Sequence, residues 1–283
     1  MMKNSVEIKN VSKTYPNFKL NNVSFNIEPG TIMGLIGENG AGKTTLIKLL
    51  LGIISTEGGS IKIFDQLVSE EVKEDIGIVL DSSFFPEIFN AEEINTVLKS
   101  TYKTWDEQKF RNYMEQFKIP TKQQLKTLSK GMRKKLEIAT ALSHNPKLLI
   151  LDEPTGGLDP VVRNEILDIF ADFIQDENNS VLLSSHITTD LEHVADYITM
   201  IDDGEIVFTK SQDELRENFG LLKCDEKSFE KIDKEDIISY KKNRYNYEIL
   251  VSDRNKLKKK YKDIVIDKAN IEDIMLMYIK GEK

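Results

Sequence analysis

The chain has 283 residues and only one cysteine, Cys224. That excludes an internal disulfide and a cysteine-built metal cluster, and it suits a reducing compartment. No apolar run approaches the ~20 residues that a bilayer span needs. The longest candidate, Leu148–Leu151, has the length of a strand. The stretch Met1–Lys9 lacks the apolar centre of a signal peptide. Action at a membrane therefore requires another polypeptide to supply the span. Excess basic charge is missing too. The net charge is −8, the wrong sign for an extended nucleic-acid surface. Sustained heptads are absent. What is present is 40% hydrophobic residues, enough for a packed core, in a length that suits one large domain or one plus a small one.

The rest is organised around Gly37-Glu38-Asn39-Gly40-Ala41-Gly42-Lys43-Thr44-Thr45, which fits the phosphate-loop pattern G-x-x-x-x-G-K-[ST]. Its glycines let the backbone approach a ligand closely and turn successive N–H groups toward an anion. A helix starting near Gly42 adds its positive end. Lys43 is spaced to reach the β- and γ-phosphates of a nucleoside triphosphate, and the Thr44 hydroxyl to ligate Mg²⁺. The flanks agree. Thr31–Ile36 reads as a buried strand entering the loop. Leu46, Ile47, Leu49 and Leu50 give the following helix an apolar face, which Gly52 ends.

Upstream, Val6–Val11 and Lys19–Ile27 alternate apolar and polar residues, as antiparallel strands with one wet face do. Downstream, Ser60–Phe64 and Ile76–Leu80 read as strands. From Ser82 to about Leu128 the spacing becomes helical (Ile94, Val97, Leu98; Phe110, Tyr113, Met114, Phe117), broken by Pro86 and Pro120. This is an inserted helical subdomain, taken to about residue 145. Its last helix opens near Leu128 and has an inner stripe of Met132, Leu136, Ala139 and Leu142. Leu148–Leu151 runs straight into Asp152-Glu153, and Val181–Ser184 is a second apolar run; both read as strands buried on two faces in a parallel sheet. Ile198–Ile201, the turn Asp203-Gly204 and Glu205–Phe208 form a hairpin. After Gln212 the nucleotide-related signals stop. Residues 213–283 read as a small α+β appendage: a hairpin over Tyr240–Val251, a strand over Asp263–Ile266 and a closing helix over Ile271–Ile279. The basic run Lys256–Lys260 reads as a solvated helix face.

In a parallel sheet the carboxyl ends of the strands line up, so the phosphate loop, Asp152, Glu153 and His186 converge on one edge. Asp152 at a strand tip suits Mg²⁺ coordination, directly or through water. Glu153 could polarise a water for attack on a γ-phosphate, and His186 could hold that phosphate or the water. A lone histidine after a strand is ordinarily a surface or capping residue, and His144 and His193 are read that way. His186 gains its role from its company.

Here a resemblance enters. Over residues 6 to 210 the chain resembles the nucleotide-binding subunit of an ATP-binding cassette (ABC) transporter. Gly37–Thr45 matches Walker A. Leu128-Ser129-Lys130-Gly131-Met132 matches the signature sequence, usually L-S-G-G-Q. Leu148–Glu153 matches Walker B with its catalytic glutamate. Gly157-Leu158-Asp159 matches the D-loop and His186 the switch histidine. The resemblance implies an α/β fold of the P-loop NTPase type: a mixed sheet with an antiparallel β subdomain and a helical insert, in a domain over 1–212. It implies ATP and Mg²⁺ as cofactors. It implies Tyr15 stacked on adenine, and Ser129, Lys130, Gly131 and Asp159 facing the ATP of a second ATPase subunit, in a homodimer or heterodimer. It also implies a separate transmembrane permease and a place at the cytoplasmic face of the cell membrane.

Two positions depart from the family pattern. Asp81 stands where a glutamine is usual; a carboxylate can still ligate Mg²⁺, but it adds a charge near the triphosphate. Lys130 and Met132 stand where Gly and Gln are usual. With Ser129, Gly131, Glu153 and His186 intact, the expectation is a hydrolytically competent site. Phe84-Phe85-Pro86-Glu87 through Trp105-Asp106 resembles the ABC-2 type exporters, some of which export antimicrobial or cytolytic peptides. The alternative is a soluble ABC ATPase acting on ribosomes or DNA; one phosphate loop and an acidic balance speak against it. A regulatory role centred on the appendage is a third reading.

Overall fold

A computed structural model of the chain describes residues 4–282; Met1, Met2 and Lys3 of the Met1–Lys9 stretch lie outside the described residues. Strands β1 (Val6–Tyr15) and β2 (Phe18–Ile27) form a hairpin, and β3 (Ile32–Ile36) leads through the glycine-rich loop into α1 (Lys43–Leu50). Then come β4 (Gly58–Ile63), β5 (Gln66–Leu67), α2 (Glu70–Lys73) and β6 (Ile76–Val79). Helices α3 (Ala91–Thr101), α4 (Glu107–Gln116) and α5 (Lys130–Leu142) make the insert. The chain returns through β7 (Leu148–Asp152), α6 (Pro160–Phe173), β8 (Ser180–Ser184), α7 (Thr188–Val194), β9 (Tyr197–Asp202) and β10 (Glu205–Ser211). It continues as α8 (Gln212–Asn218), β11 (Gly220–Cys224), α9 (Glu226–Phe229), β12 (Ser239–Lys242), β13 (Tyr247–Val251), α10 (Arg254–Lys260), β14 (Ile266–Lys268) and α11 (Ile271–Lys280).

Among the described residues the central sheet has the order β10-β9-β3-β8-β7-β6. Neighbours from β9 to β6 run parallel, and β10 is antiparallel to β9. Every residue of β3, β7 and β8 is buried, which is why these strands are continuous apolar runs rather than alternating ones. Burying each large apolar side chain in this way contributes about 1.5–3 kcal/mol. On one face, β1, β2 and β4 pack as an antiparallel sheet against α1; Val6, Leu20, Ile27 and Ile63 share a cluster with Met33, Leu46 and Ile150. On the other face, Ile166 and Phe170 of α6 pack with Leu183 and Ile198.

The insert has its own core of Ile94, Phe110, Met114, Leu125 and Leu136. Its helices start where polar caps meet periodic apolar residues. Asn90 and Glu93 form a capping box on α3, Asp106 caps α4 and Ser129 caps α5. The buried face of α5 is wider than its apolar stripe. Met132 is only half-buried, whereas Lys134 and Glu137 are buried.

Past residue 212, β12-β13-β11-β14 form a sheet around Leu222, Ile249, Val251, Leu257 and Ile266. The expected strand over Asp263–Ile266 lies later, at Ile266–Lys268. Its register with β11 sets Ile266 opposite Leu222, and residues before it are turn. In the basic run, Lys260 pairs with Asp233 and Asp236 at 2.5 Å each. This unit is not walled off from the rest. Ile271, Ile274 and Met277 of α11, with Phe219 and Leu250, belong to the same cluster as Leu191 and Ile198. The Ile271 N–H donates to Glu192 Oε1 of α7 at 2.8 Å. At the other end of α11, Lys280 lies 3.7 Å from Glu38 in the glycine-rich loop.

Candidate active site

The loop after β3 is shaped by what a side chain would strike. A Cβ on Gly37 would fall 2.3 Å from the Ile201 carbonyl oxygen, and Gly42, the N-cap of α1, has φ +116°. Both positions require glycine. The loop lines a cavity of about 790 Å³ together with Asn17, Phe18, Lys43, Thr44, Thr45, Asp81, Glu153, Asp202 and Asp203. Glu38, Asn39, Gly40 and Ala41 are on its wall as expected.

Lys43 is buried. Its ammonium donates to the Gly37 carbonyl at 2.7 Å and the Glu38 carbonyl at 3.3 Å, and faces Glu153 Oε1 at 3.8 Å. Burial holds its pKa below the ordinary lysine value, against the opposing pull of Glu153 and Asp152. Thr44, one residue on, donates its hydroxyl to Asp152 Oδ2 at 3.0 Å. The other Asp152 oxygen accepts from the Ser184 hydroxyl at 2.6 Å. Asp152 is thus an almost wholly buried carboxylate held by two hydroxyls, at the tip of β7 beside the tip of β8.

Glu153 follows it with φ +50°, a left-handed conformation that is unusual for a non-glycine residue. Its N–H still donates to the Ser184 carbonyl at 3.1 Å, the last bond of the β7–β8 ladder, and its side chain lines the cavity. Oε2 sits 2.7 Å from Nδ1 of His186 and accepts from the His186 N–H at 3.3 Å. A carboxylate only accepts, so Nδ1 is the donor of this bond. Glu153 therefore stands between Lys43 and His186.

The signature residues lie elsewhere. Ser129, Lys130, Gly131, Gly157, Leu158 and Asp159 line a second cavity of about 220 Å³, which shares no lining residue with the first. Ser129 Oγ accepts from the Met132 N–H at 3.2 Å, and Asp159 Oδ1 accepts from the N–H groups of Val161 and Val162 at 3.1 Å. The Lys130 ammonium lies over Gly157, 2.5 Å from where a Cβ there would stand. The two segments are thus two helix starts set side by side.

Tyr15 does not line the first cavity. It is the cross-strand partner of Phe18, and Phe18 packs against Gly42 and lines the cavity. Sequence reasoning passed over Phe18, Asn17, Asp202, Asp203 and Ser184. Ser184 carried a signal, as the one polar residue ending an apolar run beside the strand of Asp152. Also unforeseen is a buried link behind the site. The Thr155 hydroxyl donates to Asp190 Oδ2 at 2.6 Å, and Arg163 lies 3.7 Å from the same carboxylate. Asp190 thereby joins the segment before Asp159 to the helix after His186.

A sequence model of the family described as "ABC transporter" matches residues 20–156. The chain is 36% identical over 211 residues to the lantibiotic transport ATP-binding protein SrtF of Streptococcus pyogenes, covering 74% of this chain and 91% of that one. It is 32% identical to the bacitracin transport ATP-binding protein BcrA of Bacillus licheniformis, covering 73% and 69%. A solved structure of an ATP-binding subunit of an ABC transporter superposes with a TM-score of 0.66 at 26% identity, covering 75% of this chain and 91% of that one. With a glycine-shaped loop closing on a buried lysine, and these relatives across three quarters of its length, the chain belongs to the ABC transporter ATP-binding proteins and is an ATPase.

Proposed function

We propose that this ATPase energises export across the cell membrane, as a peripheral subunit on the cytoplasmic face bound to a separate permease chain. Among the described residues no helix is long and apolar enough to cross a membrane. The observation that carries the reading is an apolar groove beside Asp81. It measures about 230 Å³ and is lined by Ile53, Ile78, Leu80, Phe84, Phe85 and Tyr102 among others. Phe84 and Ile53 are 55% and 59% exposed, and Ile88 nearby is 62% exposed. Clustered large apolar side chains on a water-facing surface mark a contact for another chain. The relatives named for lantibiotic and bacitracin transport support a peptide cargo. The acidic balance supports no nucleic-acid partner.

Residues 1–212 form the ATPase domain, with the helical insert at 82–145, and residues 213–283 an accessory domain. The roles divide as follows. The loop N–H groups and Lys43 hold the triphosphate, with the ammonium exchanging the Gly37 carbonyl for phosphate oxygens. Tyr15 and Phe18, side by side on their hairpin, offer a face for the adenine. The hydroxyl of Thr44 and the carboxylates of Asp152 and Asp81 are hard oxygen donors that fit Mg²⁺. Among the described residues no group of three or more His, Cys, Asp or Glu could hold a metal alone, so triphosphate oxygens and water would complete the shell. Bound there, Mg²⁺ offsets the charge of the triphosphate. Glu153 accepts the proton of the attacking water, and His186 orients that carboxylate through Nδ1. Ser129, Lys130, Gly131 and Asp159 meet the triphosphate held by a second copy or a related subunit, because their cavity is separate from the phosphate loop of their own chain.

The test is membrane recruitment in cells. The tagged chain is expected to sediment with membranes and to co-purify with an integral membrane protein. Ile53→Asp with Phe84→Asp should release it while ATP binding stays intact. A chain that co-purifies with ribosomes, or a variant that remains on the membrane, refutes the reading.

A further inference from the structure

Helix α5 carries a charged pair on its buried face. Lys134 and Glu137 are one turn apart, each side chain is 7% exposed, and the ammonium lies 2.9 Å from Glu137 Oε2. The same ammonium donates to the Leu80 carbonyl at 2.9 Å. Removing two charges from water is costly, and well-packed apolar residues of similar size are often as stable or more so. Stability alone is therefore a poor reason for this pair.

Its location supplies a better one. Leu80 lies just past the end of β6, the edge strand of the central sheet. The next residue is Asp81, on the wall of the phosphate cavity. The start of α5 is Ser129, on the wall of the other cavity. Glu137 also lines a cavity of about 210 Å³ with Ser83 and Phe85, so the loop that follows Asp81 faces Glu137 across it. One buried lysine thus bonds the backbone beside the candidate metal ligand to the helix that presents the signature residues.

We propose that Lys134 is a positioning residue. Held by Glu137, it grips the Leu80 carbonyl and makes the Asp81 loop move as one piece with the signature helix. Where α5 goes, the Asp81 carboxylate follows. The placement of Asp81 on the metal–nucleotide complex is therefore set from the helical insert rather than from the sheet alone. This inference rests on the reading of Asp81 as a metal ligand.

The test uses the full chain and the fluorescent nucleotide MANT-ATP, titrated with Mg²⁺. Lys134→Met with Glu137→Leu removes the grip without leaving a lone buried charge. Its melting temperature is expected at or above that of the parent, and its MANT-ATP affinity in EDTA should be unchanged. The Mg²⁺ needed for half-maximal binding should rise about tenfold, the scale at which misplaced supports of metal ligands act. Lys134→Gln with Glu137→Leu returns one donor to the Leu80 carbonyl and should recover most of that loss. Asp81→Ala should raise the Mg²⁺ requirement by a similar factor, and combining it with the first pair should add nothing. If Asp81→Ala raises the requirement while the Lys134 pair leaves it unchanged, the positioning role is refuted and the metal role of Asp81 stands. If the two losses multiply, Lys134 acts by a route that bypasses Asp81, and the inference fails. If Asp81→Ala has no effect, the metal reading of Asp81 fails and takes the inference with it.

Discussion

The phosphate-loop cavity and the signature cavity belong to one chain but hold their polar groups in opposite ways. In the first, Lys43 and Asp152 are buried and already bonded, Lys43 to the loop's own carbonyls and Asp152 to Thr44 and Ser184. Charges already fixed in place act on a triphosphate with little rearrangement. In the second, Ser129 and Asp159 use their side chains to cap their own helices, and what faces outward is a pair of helix starts. Such ends attract an anion, but in water the attraction is about 1 kcal/mol or less. The first cavity can therefore bind nucleotide within one chain. The second becomes effective only once a surface closes over it and excludes water.

Breaking each side in turn should give effects of different kinds. The largest is expected for Glu153→Gln, which keeps the size and one acceptor but removes the base. Phosphate release should fall about a thousandfold, the weight of a positioned general base, while ATP binding is retained. Turnover above a tenth of the parent rate would remove Glu153 from the chemistry. Next is Ser129→Arg, which fills the signature cavity. Steady-state turnover should drop about a hundredfold, as for loss of a preorganised anion donor. Equilibrium binding of ATP to dilute protein should not change, and a shift there would merge the two cavities into one. Lys43→Ala should weaken ATP binding by about tenfold to a hundredfold, since a charge-assisted hydrogen bond to phosphate is worth ~1.5–3 kcal/mol. Mixed with Ser129→Arg protein, it should regain part of the turnover, because one intact composite site forms. No recovery on mixing would confine the action of both cavities to single chains.

The smallest effect concerns the insert that carries the signature helix. Hydrogen bonds from Lys99, then Arg111, then Asn95, hold the Glu107 carboxyl down at about 2, against an ordinary 4.5. A carboxylate with a depressed folded-state pKa stabilises the fold above its unfolded value, and that stabilisation is lost as pH falls through the folded one. Glu107→Gln should therefore lower the melting temperature slightly at pH 7, and the difference should vanish between about pH 4.5 and pH 2. The Glu107 side chain is one third exposed to water (33%), so salt should shrink the effect.

The loop, the strand tips and the start of α5 were legible because each needs particular residue types at fixed spacing. Gly37 and Gly42 have to be glycine, and Ser129 is a cap residue ahead of apolar periodicity. Less legible was whatever depended on two distant segments meeting. Phe18 reaches the loop because its strand brings it against Gly42, a meeting no local pattern marks. Asp190 carries no local mark of its role, because Thr155 and Arg163 come to it from another segment. Nothing local marks Lys134 and Glu137 as buried, because periodicity ranks a charged residue as outward. The strand end at Leu80 reverses that ranking. The unity of α11 with the main core was equally hidden, since a closing amphipathic helix does not announce which surface it will cover.

That last feature bears on how the protein is made. Ile271, Ile274 and Met277 cover apolar surface shared with Leu191 and Ile198, next to the helix that follows His186. During synthesis this surface waits uncovered until the closing helix has been translated. The ATP-binding part thus emerges first but finishes last, and its early intermediates are the kind that chaperones hold. A product terminated near residue 212 would carry the same sticky patch permanently. Proteolytic quality control would see that fragment as misfolded even though every nucleotide motif in it is complete, so an interrupted chain would be degraded before it could hydrolyse ATP to no purpose.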